Sequence, residues 1–242
     1  MPAGQTWVGF AIFLGIVFIS IFYLMAITTQ RLTVAVSSMA SKMSLVLPVL
    51  FSLLILGKGA DSFDGLNYTG LSLAFLAIFM TGYTGKAAGE QQTSSGMQVW
   101  LLPLAVFLGS GLIDIVINYS NTHYVTEAIK PLFPVVSFGT AAVVGTILLL
   151  SKKIALKRRN IIAGIVLGVP NYFSIFFIFE ALSAYDNNGA MVYPVLNIGI
   201  ITLSAVMGVL LFRERLSLIN WLGLVVAALA IVLISWQGLF AG

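Results

Sequence analysis

Lys42 is the residue whose chemistry most needs explaining. It stands in Thr33–Leu56, TVAVSSMASKMSLVLPVLFSLLIL, a run long and apolar enough to cross a bilayer, for which about 20 apolar residues suffice. At ~1.5 Å of rise per residue, a place about nine residues in lies ~14 Å deep, near the middle of a hydrocarbon core roughly 30 Å thick. An ammonium there costs about 2.5 kcal/mol on the most lenient scale, and it calls for a partner or an aqueous cavity. Ser37, Ser41, Ser44 and Ser52 fall on one helical stripe, with Ser38 leading over to Lys42. A polar stripe beside a charge should face the protein interior.

Asp114 is the natural counter-charge. It lies in GSGLIDIVINYSN with Ser110 and Asn118 one turn away on either side. A buried ammonium needs an opposite charge or it sheds its proton. A Lys42–Asp114 pair, opened by a substrate or a proton, could drive a carrier cycle. Further along, Tyr193, Asn197 and Ser204 share a face that Pro194 loosens, and Asn171 and Tyr172 follow Pro170 at an expected kink. The substrate-binding set is therefore Lys42, Asp114, Asn197, Tyr193, Asn171, Tyr172, Ser38, Ser41 and Asn118. The plainer role for the serines is bridging between helices, worth ~0.6–2 kcal/mol each. Glu180, nearer a helix end, reads as interfacial, and His123 as a loop histidine. Arg213, Glu214 and Arg215 read as interfacial anchors. Trp7, Tyr83, Trp100, Trp221 and Trp236 fit aromatic belts.

The elements that position these residues follow from composition. Of the 242 residues, 60% are hydrophobic and 8% charged, against about 25% charged in a soluble domain. The fold class is an all-α polytopic membrane protein. Apolar windows at about 7–27, 33–56, 66–84, 98–119, 131–151, 160–182, 189–212 and 218–236 give eight spans joined by short loops. The loops KGADSFDG and KAAGEQQTSSG carry turn residues. The net charge of +4 is modest and gathers in SKKIALKRRN, a topology signal rather than a nucleic-acid surface. Arg31, Lys86, Lys152, Lys153, Lys157, Arg158, Arg159, Arg213 and Arg215 fall on one side and only Lys58 and Lys130 on the other, which places the first set in the cytoplasm and both ends of the chain outside. There is no cysteine, no HExxH, no phosphate-binding glycine loop and one histidine, so no enzyme chemistry is expected and neither a metal nor a cofactor is called for.

An internal repeat sets the architecture. Asn67–Ile78, NYTGLSLAFLAI, and Asn220–Ile231, NWLGLVVAALAI, share Asn67/Asn220, Gly70/Gly223, Leu71/Leu224, Ala74/Ala227, Leu76/Leu229, Ala77/Ala230 and Ile78/Ile231. Upstream, Ser20-Ile-Phe matches Ser174-Ile-Phe at nearly the same offset. Spans one to three thus correspond to spans six to eight. An offset of five crossings is odd, so the copies run in opposite directions, an inverted repeat whose substrate site is expected at the midplane. With a one-residue slip Lys42 falls opposite Asn197. The division is residues 1–90, a partial three-helix copy, and 91–242, a five-helix copy.

Leu210-Leu-Phe-Arg-Glu-Arg-Leu-Ser217, followed by Asn220-Trp-Leu-Gly-Leu and a small-residue helix, resembles the second repeat of the EamA-type carriers of the drug/metabolite transporter superfamily. The first copy, with Lys58-Gly-Ala where Glu-Arg-Leu would stand, matches more weakly. The resemblance implies ten helices in two inverted five-helix repeats, of which this chain lacks the first two. It also implies a permease or exporter of small organic metabolites in the bacterial cytoplasmic membrane, with a small-molecule substrate and the lipid bilayer as partners; the Lys42–Asp114 pair makes protons a candidate coupling ion, and the sequence leaves that ion open. Composition alone leaves a second expectation: a truncated, non-transporting fragment, or a structural or assembly subunit in the membrane.

Overall fold

A computed structural model describes residues 6–31, 34–57, 63–82, 98–151, 158–212 and 218–234. Among the described residues the fold is wholly helical: α1 (Thr6–Arg31), α2 (Val34–Met43), α3 (Val46–Leu54), α4 (Gly65–Gly82), α5 (Gln98–His123), α6 (Leu132–Ser151), α7 (Arg158–Ala184), α8 (Gly189–Phe212) and α9 (Leu218–Ile234). Five described helical stretches are long and apolar enough to cross a membrane: Thr6–Arg31, Val36–Leu54, Leu101–His123, Leu132–Ser151 and Arg158–Ala184. Gly189–Leu203 and Trp221–Ile234 are shorter apolar helices. The loop KAAGEQQTSSG, Lys58, most of SKKIALKRRN, Arg213–Arg215, Tyr83 and Trp236 lie outside the described residues.

One expected helix is two. The window 33–56 is broken at Ser44 and Leu45. Pro48 brings no N–H to the Ser44 carbonyl, and its ring crowds that oxygen. The ladder tightens there instead, with Leu45 N donating to Lys42 O at 3.3 Å and Leu47 N to Ser44 O at 2.9 Å. The Ser44 hydroxyl adds a 2.6 Å bond to Ser41 O.

The chain packs as two compact units, residues 1–23 with 113–187, and residues 24–112 with 188–242. In the first, Ala11, Leu14, Phe18 and Ile21 are buried along α1, a spacing of three and four that keeps them on one face. Gly15 lets α1 approach α6 closely, since a Cβ there would collide with the Ser137 carbonyl oxygen. Phe133 of α6 packs edge-on to Phe179 of α7 at 5.1 Å. α7 ends at Asp186 (φ 50) and Asn187 (φ 61), and Asn187 N closes back on Leu182 O at 2.7 Å, a left-handed helix stop for which asparagine is well suited.

In the second unit the longest pairing is α4 with α9. Asn67, at the start of α4, donates to the carbonyl of Ile234, the last residue of α9, at 2.8 Å, so the two helices are antiparallel. Their seam is made of small residues: Gly70, Ala74 and Ala77 on α4, Gly223, Ala227 and Ala230 on α9 are all buried. Small residues let the two backbones approach closely, and dispersion between them holds such a seam together. Tyr68 and Leu76, and their repeat counterparts Trp221 and Leu229, all face outward.

Candidate functional site

The break between α2 and α3 places Lys42 in the last turn of a ten-residue helix rather than midway along a long one. The final carbonyls of that helix carry a partial negative charge, which favours a cation beside them. A cavity of about 260 Å³ opens here, lined by Met25, Ala26 and Thr29 of α1 and by Ser37, Ser38, Ser41 and Lys42 of α2. The Ser37 hydroxyl donates to Met25 O at 3.3 Å, tying the two helices at the cavity wall. A cationic head with several hydroxyls around it suits a small anionic group such as a carboxylate. Of the expected site residues, Lys42, Ser38 and Ser41 are therefore brought together.

The others have different surroundings. The Asn197 amide donates to Tyr193 O of its own helix at 3.0 Å, and Tyr193 is buried in the second unit. The Tyr172 hydroxyl donates to Pro131 O at 3.1 Å, closing α7 on the turn before α6, with Asn171 half-buried beside it. Asp114 and Asn118 lie on α5 in the first unit, Asn118 fully buried.

His123 is not in a loop. α5 continues to His123, four residues beyond the expected end of its window. There the ring stacks on Tyr119 at 4.3 Å and its Nδ1 lies 3.0 Å from Tyr119 O. The polar run NTHY looks like the start of a loop by composition, yet it is helical as far as His123, with Asn121 buried and bonded to Ser183 and Asn187. Asn121 was absent from the expected set, and its side chain bonds both Ser183 and Asn187. Its place three residues after Asn118 was the available signal.

Glu180 also gains a partner. Lys130, in the turn before α6, is buried, with Nζ 2.6 Å from Glu127 Oε1 and 3.2 Å from Glu180 Oε2. Burial alone would lower the lysine's pKa; the hydrogen bonds and charges of Glu127 and Glu180 outweigh it and hold the pKa above the ordinary 10.5. Lys130 is thus a neutralised charge, not a free one.

Among the described residues, these elements define a protein that is wholly helical and rich in helices of membrane-crossing length. No protein-family model matches the chain. A protein of Haemophilus influenzae, described only as uncharacterized, is 32% identical over 218 residues, covering 90% of this chain and 72% of that protein. The chain belongs to the same family as that Haemophilus protein.

Proposed function

We propose that this chain is a secondary carrier of the EamA type, moving a small anionic or zwitterionic organic solute by alternating access between inverted repeats in a bacterial cytoplasmic membrane. The observation that carries the reading is the cavity at the break between α2 and α3, with Lys42, Ser38 and Ser41 in its wall. Non-helical backbone at membrane depth is tolerated where it is buried in protein or lines a cavity. Interrupted helices of this kind bind substrates in secondary transporters. Lys42 would pair with the anionic group while Ser38 and Ser41 donate hydrogen bonds to it. Asp114 on α5 is the carboxyl we assign to proton coupling.

The inverted repeat draws support from burial. Gly70/Gly223, Ala74/Ala227 and Ala77/Ala230 match in sequence and are buried in both copies, while Tyr68/Trp221 and Leu76/Leu229 match and face outward. The two copies of the motif lie antiparallel against each other, as a two-fold axis in the membrane plane requires. Counting α4, α8 and α9 with the five longer spans gives the eight crossings of this reading.

Reconstitution tests it. The full chain in proteoliposomes should give saturable uptake of radiolabelled amino acids or short carboxylates, reduced at least tenfold by Lys42→Ala and less by Ser38→Ala. Flux no greater than in protein-free liposomes, or equal in Lys42→Ala and the parent chain, overturns it.

A further inference from the structure

The Asn118 side chain is fully buried on α5, and neither its oxygen nor its nitrogen has a hydrogen-bond partner among the described residues. Turning the amide over changes nothing, since both ends are unengaged. One turn on, Asn121 is also buried; its nitrogen donates to the Ser183 hydroxyl and to Asn187, while its oxygen is unpaired. Residues three apart on a helix are neighbours on one face. Two buried amide oxygens therefore share one stripe of α5, and Asn121 joins that stripe to Ser183 and Asn187 at the C-terminal end of α7. Buried polar groups are almost always satisfied, and an orphan pair on one stripe calls for a ligand that both can hold.

The surroundings give the sign of that ligand. α7 ends here with its last carbonyls and the left-handed residues Asp186 and Asn187, and the carbonyl end of a helix attracts positive charge. The Asn187 oxygen is already turned to Asn121. Neutral oxygens with a helix C-terminus are hard, weakly charged donors, matched to a monovalent cation rather than a transition metal.

We propose that Asn118 and Asn121, with the C-terminal end of α7, form a binding site for a small monovalent cation, either an alkali ion or a primary ammonium group. The site lies wholly in the first unit and does not depend on the carrier reading. In that reading it would be a place for a coupling ion or for the amino end of a zwitterion.

Thermal unfolding of the full chain in detergent micelles tests the site without any flux measurement. Chlorides of sodium, potassium, methylammonium and choline are compared at equal ionic strength. At roughly ten times its dissociation constant, a cation that fits should raise the midpoint by about 3–6 °C over choline. Asn118→Leu should remove that difference while keeping the helical circular dichroism, and Asn121→Leu serves the same purpose if the first variant does not fold. A response to sodium or potassium assigns an alkali ion, and one to methylammonium alone assigns an ammonium group. No salt exceeding choline, as an ordered water in the site would give, overturns the proposal, as does a shift retained in full by the leucine variants.

Discussion

The side chain of Asn67 donates to the backbone carbonyl of Ile234, 167 positions away, at 2.8 Å. That carbonyl belongs to the last described turn of α9. At its other end the Asn67 oxygen accepts from Asp64 N at 3.0 Å, while the Asp64 carboxylate accepts from Leu66 N and Asn67 N at 2.9 and 3.1 Å. One asparagine thus starts α4 in a reciprocal cap and finishes α9.

Asn67→Ala should therefore cost about 1–3 kcal/mol, the usual penalty for orphaning a buried polar partner, and Asp64→Ala about 1 kcal/mol. The double variant should cost less than their sum, because both changes dismantle one cap. Thermal melts of the three variants in micelles measure this; full additivity would mean that the cap is not reciprocal.

Glycine substitutions should separate by their surroundings. A Cβ on Gly70 would lie 2.8 Å from Leu233 Cβ and 2.9 Å from Ile234 N, whereas one on Gly164 meets nothing within 4 Å. Gly70→Ala must push α4 from α9 and should cost about 1–3 kcal/mol. Gly164→Ala, in the open half of α7, should leave the melting point unchanged or raise it, since alanine gains up to about 1 kcal/mol in a helix. Equal midpoints for both variants would contradict the close seam.

Around Lys130 the two kinds of variant are unequal. Lys130→Met leaves two carboxylates that already reach solvent, so the expected loss is about 1 kcal/mol. The pair Glu127→Gln and Glu180→Gln leaves a buried ammonium unpaired and should cost about 3 kcal/mol. The folded-state pKa lies above the ordinary value. Its stabilisation is therefore present in full below pH 10.5 and is lost as pH rises through the folded value. Parent and Lys130→Met melts should differ at neutral pH and converge in strong alkali.

Restoring a donor at position 48 should trade motion for stability. Pro48→Ala removes the ring that crowds Ser44 O and restores an N–H for an α-helical i→i−4 bond in place of the tight Leu47 N–Ser44 O turn, and should stabilise the α2–α3 segment by about 1–3 kcal/mol. If the break shapes the cavity, flux in proteoliposomes should fall as the melting point rises. A rise in both would argue that the break serves packing alone.

Much of this was readable in the sequence. Apolar runs of span length give the helices, because the composition leaves few other ways to satisfy backbone groups. The matched Gly and Ala positions of the two motifs fall on the faces of α4 and α9 that are buried, since small residues at helical spacing suit a close seam. Serine and lysine types at positions 38, 41 and 42 named a polar patch that the fold gathers round one cavity. What lay beyond the sequence was decided by contacts between distant segments. Proline at 48 breaks one helix, where Pro170 and Pro194 are carried inside continuous ones; local sequence does not distinguish them, but packing does. α5 runs on past the expected end at 119 to His123, where Asn121 bonds Ser183 and Asn187 more than sixty residues away, a contact no local propensity encodes. Likewise, Lys130 looked like a topology charge until the fold set Glu180, fifty residues on, against it. Local chemistry fixes which segments become helices; tertiary packing fixes where they break, how far they run and which charges remain free.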